Sequence, residues 1–176
     1  EVCGLICLFY DTLKPIAEKY PTDITKLKPY KLAGTLLCDD VGIGKTIQAL
    51  VFWMAFKMYQ PESTCLVIVP SHLETHWKIE ITKHFGMDCL PGMTIINLSK
   101  VVEYLATNKP SVIIVDEFHE LYDLEQPNLI LSEICNYNAV FKIAITATPI
   151  IDNSSLKKII DFLICSTRTS ELIGNY

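Results

Sequence analysis

One fifteen-residue stretch limits what this chain can fold into more than any other. It reads LLCDDVGIGKTIQAL: an apolar run, Leu36-Leu37-Cys38, two acids, Asp39 and Asp40, then Val41, Gly42, Ile43, Gly44, Lys45 and Thr46, and after them a helix-forming run. A buried strand, a glycine turn and a helix start, in that order, make a cradle for phosphate. The glycines let the backbone come close to an anion with no side chain in the way. Amides at the helix N-terminus point at the anion and carry the positive end of the helix dipole. In such a cradle residues 39–46 line the phosphates of ATP, Lys45 reaches the β- and γ-phosphates, and the Thr46 hydroxyl ligates magnesium. The strict pattern is GxxxxGK[ST], and here Asp39 stands at its first position.

A chain of 176 residues that is 50% apolar suits one well-packed domain. No apolar run is long enough to span a bilayer, and the N-terminus lacks the basic region of a secretion signal, so a nuclear or cytoplasmic, non-secreted protein without a membrane partner is expected. The seven cysteines are odd in number and include no CxxC pair, which suits reduced, mostly buried thiols rather than a disulfide framework or a zinc site. A net charge of −5 argues against gripping nucleic acid by bulk electrostatics and leaves backbone-amide contacts to phosphates open.

In order, residues 1–31 read as an apolar, helical opening followed by a loop broken by Pro15, Pro21 and Pro29. Strands are expected at Leu32–Cys38, Cys65–Val69, Thr94–Asn97, Val112–Val115 and Lys142–Thr146. Helices are expected at Lys45–Tyr59, from a Ser71 cap to Phe85, at Ser99–Thr107, at Pro127–Cys135, and from a Ser154 or Ser155 cap through Leu163. The runs CLVIV and VIIV are continuous apolar segments, as strands buried on both faces require. Strand alternating with helix predicts an α/β domain with a parallel sheet and helices on both faces.

A second landmark is VIIVDEFHEL, which sets Asp116 and Glu117 at the carboxyl end of a buried strand. Ligands of open α/β sheets bind along that edge. An acid there holds magnesium, and its neighbour orients and polarises the attacking water, which assigns Asp116 to the metal and Glu117 to hydrolysis. The bland reading is a solvated strand end, and it weakens with a phosphate loop about seventy residues upstream. His119 reads equally well as a coupling residue or as a loop histidine. The third landmark, Thr146-Ala147-Thr148-Pro149, puts small hydroxyls at another strand end, where Thr146 and Thr148 would reach the acidic motif; its bland reading is a polar turn.

These blocks together resemble the first RecA-like lobe of a superfamily-two helicase, of the SWI/SNF type of double-stranded DNA translocase. LLCDDVGIGKTIQAL is similar to that family's ILADDMGLGKTIQAL, so Asp39 becomes a family mark. CLVIVPSHLETHWKIEITKHF resembles the second block, with Pro70, Leu73, Trp77, Glu80 and Lys83 matching. VIIVDEFHEL resembles the DEAH-type box, and ITATPIIDNSSLKKIIDFL resembles LTGTPIQNNLEELWSLLNFL, with Pro149, Ile150, Asn153 and Leu156 matching. The resemblance covers residues 32–165, leaving 166–176 as a tail. Departures are Phe118 for a small residue, TATP for TGTP, and Cys38 for Ala; with a Lys/Ile/Asn bias they suit a divergent member, of viral or parasitic type.

The resemblance implies ATP and Mg2+ as cofactors and duplex DNA as a partner, gripped through its backbone phosphates at Ser71, His72, Ser99, Lys100 and the Thr146–Pro149 turn. It also implies a second RecA-like lobe that closes over ATP and supplies arginine fingers. Arg168, the single arginine, follows the last motif, so this sequence reads as one lobe of such a motor, weakly active or inactive on its own. A DEAD- or DEAH-box RNA helicase and a non-hydrolysing, nucleotide-gated interaction module are the alternatives. The Asp39-Asp40 start counts against the first. Intact Lys45, Thr46, Asp116 and Glu117 count against the second.

Overall fold

The structure is a computed structural model, and it describes residues 34–86, 91–122, 129–148, 158–159 and 161–163. The expected N-terminal helix and loop, Pro149, the Ser154/Ser155 cap and Arg168 lie outside these residues.

Among the described residues, five strands form one sheet: β1 (Gly34–Leu37), β2 (Cys65–Val69), β3 (Met93–Asn97), β4 (Val112–Val115) and β5 (Phe141–Ile145). Their order across the sheet is β1-β5-β4-β2-β3, with every neighbouring pair parallel. Among the described residues, four α-helices connect them: α1 (Lys45–Tyr59), α2 (Glu74–Phe85), α3 (Val101–Thr107) and α4 (Leu129–Asn136). Residues 158–159 and 161–163 are also helical.

The strand alternation divides the core in two. Cys65, Val67, Val69, Val112, Ile114, Phe141, Ile143 and Ile145 face α1 and α2, where Phe52, Trp53, Phe56 and Trp77 fill the space. Leu66, Ile68, Ile113, Val115 and Ala144 face the other way, against Val101, Phe118, Leu131, Ile134 and Phe162. Helices thus cover both faces, which is why β2, β4 and β5 are buried along their whole length and lack a polar alternation.

Two expected helix starts differ. Ser71–Leu73 is a 3-10 turn closed by the Leu73 amide donating to the Pro70 carbonyl at 2.9 Å, and α2 begins at Glu74 with no side-chain cap, so Ser71 is not the cap. Likewise Leu98–Lys100 is a 3-10 turn and α3 begins at Val101. In both places the chain turns sharply off a strand end, and the tighter i to i+3 bond completes the turn before the α-helix can start. Strand β5 ends at Ile145, one residue before Thr146, although the Thr146 amide still donates to the Leu37 carbonyl at 3.0 Å.

Of the described cysteines, Cys38 is exposed while Cys65 and Cys135 are buried. Burial pushes the Cys65 thiol well above its ordinary value, so it packs as a small apolar residue.

Candidate functional site

Because all five strands are parallel, their carboxyl ends lie along one edge. Strand β5 lies between β1 and β4, with Leu37 paired to Ile145 and Val115 to Ala144. The segment after β1 and the segment after β4 therefore emerge two strand spacings apart, roughly 10 Å.

After β1 the chain runs through residues 38–40 into a turn that ends at α1. Gly42 and Gly44 have φ of 85° and 80°, a region that side chains rarely enter, and a Cβ at either would meet nothing within 4 Å. Backbone conformation, not crowding, is what requires glycine there. Gly44 is the N-cap of α1, and no side chain caps that helix, so its first amides are left for an outside acceptor. Lys45 folds back over the loop, its Nζ donating to the carbonyls of Asp39 at 2.8 Å and Asp40 at 3.0 Å. Val41 and Ile43 stand exposed beside Gly42. Thr46 is half-buried in the first turn of α1.

Gln48, on α1 behind this loop, is a member of the site that the sequence did not point to. It is buried, its Nε2 lies 3.4 Å from Asp39 Oδ2, and its Oε1 has no partner. Its place one turn into α1, behind a loop that begins with an acid instead of glycine, was the available signal.

After β4, Asp116 continues the ladder through its amide to the Ile68 carbonyl at 2.9 Å. Its Oδ1 accepts the Glu117 amide at 2.9 Å, and its Oδ2 accepts the Trp77 indole N–H at 2.7 Å. Glu117 has φ 48° and ψ 49°, the one non-glycine residue with positive φ among those described. The left-handed region costs such a residue about 1–2 kcal/mol. Strain of this kind, at a half-buried carboxylate on the ligand-binding edge, is a pointer to function. The 3-10 turn Phe118–Leu121 follows, and it buries Phe118 and Leu121 in the second core.

His119 bridges the second and third motifs. Its Nδ1 lies 3.0 Å from Thr146 Oγ1 and 3.2 Å from Glu117 Oε2. Thr146 is buried, and its Oγ1 also accepts the Thr148 amide at 3.1 Å. Thr148 itself is exposed and reaches this network only through its backbone.

Ser71 and His72 follow β2, and Ser99 and Lys100 follow β3, so all four sit on the same carboxyl edge, and all four are exposed. Ser99 Oγ donates to Asn97 Oδ1 at 2.6 Å, and Asn97 Nδ2 donates to Glu74 Oε1 at 2.6 Å.

The donor set fits magnesium. Thr46 and Asp116 offer hard oxygens, and each Asp116 oxygen accepts one protein hydrogen bond, leaving lone pairs for a metal-bound water. No cluster of three His, Cys, Asp or Glu side chains able to hold a metal occurs among the described residues. Magnesium does not need one, since it is bound through one or two carboxylates together with substrate phosphates.

Comparison with known proteins agrees with this geometry. Residues 24–97 match the family model of the SNF2-related domain. The chain is 26% identical over 170 residues to the TATA-binding protein-associated factor BTAF1 of Arabidopsis thaliana, covering 78% of this chain and 8% of that protein. It is 33% identical over 78 residues to the Zorya protein ZorD of Escherichia coli, covering 43% of this chain and 7% of that protein. The chain thus spans under a tenth of these two relatives. Its fold is similar to the Sulfolobus solfataricus SWI2/SNF2 ATPase core solved in complex with double-stranded DNA, with a TM-score of 0.63 and 24% identity, covering 76% of this chain and 32% of that one. A parallel sheet with a glycine loop after β1 and an acidic pair after β4 thus gives the chain a fold similar to that of the SWI2/SNF2 ATPase core, and its residues 24–97 are similar to the SNF2-related domain.

Proposed function

We propose that residues 1–176 are the first motor lobe of an ATP-dependent translocase that works on double-stranded DNA in the nucleus or cytoplasm. One observation carries the reading: an uncapped helix start behind a glycine turn and a carboxylate pair emerge from strand ends separated only by β5. The amides of residues 42–46 and Lys45 hold the phosphates of ATP, and Asp39 and Asp40 shape the entry to the loop. Thr46 and Asp116 hold magnesium, which when bound would neutralise charge on the phosphate oxygens. Glu117 orients the attacking water and takes its proton. His119, Thr146 and the Thr148 amide link that carboxylate to the neighbouring strand end.

Ser71, His72, Ser99 and Lys100 meet the DNA backbone. With a net charge of −5 the chain suits a grip by amides and hydroxyls at strand ends better than a basic groove. A second RecA-like lobe is the partner that closes the site and brings the arginine, since a cation of that kind is worth about 10³–10⁵ in rate in related enzymes.

Lys45→Ala tests the nucleotide site. A hydrogen bond from a charged group contributes about 1.5–3 kcal/mol, so ATP affinity by calorimetry should fall roughly 10- to 100-fold. The circular dichroism spectrum should not change, because Lys45 contacts only loop carbonyls and alanine favours the helix start. Equal affinity for variant and parent would remove Lys45 from the phosphates.

A further inference from the structure

Trp77 lies at the end of the first turn of α2 with no exposed surface. Its ring belongs to the core between the sheet and α1, which accounts for the ring and leaves the indole N–H to be satisfied. The acceptor is Asp116 Oδ2 at 2.7 Å, from a residue 39 positions along the chain. The other oxygen of that carboxylate accepts the Glu117 amide, so each oxygen has one fixed donor and the plane of the group is set. Helix α2 is itself pinned at its first residue, where Glu74 accepts from Asn97, which in turn accepts from Ser99. The seat of α2 and the orientation of Asp116 are thereby one mechanical unit.

We infer that Trp77 is a positioning residue for the metal-binding carboxylate: its indole N–H holds Asp116 in the orientation that receives magnesium with the nucleotide, and ties that orientation to α2. The inference rests on the role proposed above for Asp116. A side chain that only filled space at position 77 would be replaceable by phenylalanine, whereas one that aims a carboxylate would not. Groups that orient a metal ligand from behind typically change metal affinity about 10- to 100-fold when lost.

The chain has two tryptophans, Trp53 and Trp77, so a ¹⁵N-labelled sample gives two indole N–H signals, assigned with Trp53→Phe. ATP is added first with EDTA and then with magnesium. The Trp77 signal should move on addition of magnesium, while the Trp53 signal stays in place. In Trp77→Phe the magnesium concentration that half-saturates the nucleotide complex should rise about 10- to 100-fold, with affinity in EDTA unchanged. Asp116→Asn keeps an acceptor for the indole but weakens the metal site, and should abolish the magnesium-dependent shift. If Trp77→Phe fails to fold, the parent and Asp116→Asn spectra decide the matter. A Trp77 signal unmoved by magnesium, or a Trp77→Phe midpoint equal to that of the parent, would overturn the inference and leave the nucleotide site standing. A parent chain with no magnesium-dependent ATP binding at all would overturn both.

Discussion

Glu117→Gln should lower ATP hydrolysis by about 10²- to 10⁴-fold, the usual contribution of a positioned general base, and leave ATP affinity nearly unchanged. Glutamine keeps the volume and the hydrogen-bonding reach of glutamate but takes no proton from water. The carboxylate is well placed to act: it is half-buried, on the same edge as the phosphate loop, with Oε2 3.2 Å from His119 Nδ1. The backbone also tells against an incidental acid. At φ 48° glycine would be less strained, by about 1–2 kcal/mol, yet a glutamate is present. Glu117→Gly is therefore the companion variant: it should be at least as stable as the parent in urea and as defective in turnover as Glu117→Gln. The readout is steady-state phosphate release with duplex DNA, made in the two-lobed motor proposed above, beside calorimetric ATP binding. Parental turnover in Glu117→Gln would assign the water to another group.

The largest effect on stability should come from Lys142. This side chain is 1% exposed in β5, and its Nζ donates to the carbonyls of Ile134 at 3.0 Å and Cys135 at 2.9 Å, near the C-terminal end of α4. The ammonium also lies 5.3 Å from the Phe162 ring centroid. It therefore caps a helix end inside the core, where the negative end of the helix dipole favours a cation. Lys142→Ala removes the donor from both carbonyls and leaves a cavity, and should cost about 3–5 kcal/mol. Lys142→Met restores most of the volume and none of the donors, so it should recover only part of that loss. Urea unfolding of the three proteins measures both. Buried charges can sometimes be exchanged for apolar groups at no cost. Lys142→Met as stable as the parent would show that this is such a case and that the two carbonyls do not need the ammonium.

Some of this fold could be read from the sequence to the residue. Cys65–Val69 and Val112–Val115 were expected with the bounds observed, because a short continuous apolar run ended by Pro70 or by Asp116 leaves little room for another reading. The same holds for Lys45–Tyr59, set between Gly44 and Pro61. The turns at Ser71–Leu73 and Leu98–Lys100 could not be read so well. A serine before a helical pattern looks like a cap, and only the path of the chain off the strand decides for a 3-10 turn. Lysine 142 gave no hint of burial, since one charge at the start of an apolar run looks like a solvated strand end. Lys142 is buried because β5 is an interior strand, flanked by β1 and β4, and that position is a property of topology.

The candidate site divides in the same way. Residues 39–46, Asp116 and Glu117 are close in sequence within each motif, and the parallel sheet brings the motifs to one edge. The reach of Thr146 to the acidic motif was expected, and His119 is the residue it meets; what sequence did not reveal are the Trp77 indole on Asp116 and Gln48 behind Asp39. Trp77 was legible as a family-like position, but its hydrogen bond was not. The left-handed backbone of Glu117 was equally hidden, because glutamate carries no signal for it.

The most direct test of the central claim is a crystal structure of the chain with magnesium and a non-hydrolysable ATP analogue. In the structure described above Lys45 Nζ is hooked onto the carbonyls of Asp39 and Asp40. In that complex Lys45 Nζ should swing onto the β- and γ-phosphates, the amides of residues 42–46 should surround the phosphate, and Thr46 and Asp116 should face the metal. A triphosphate bound elsewhere, with Lys45 still on the loop carbonyls and no metal near Asp116, would contradict it.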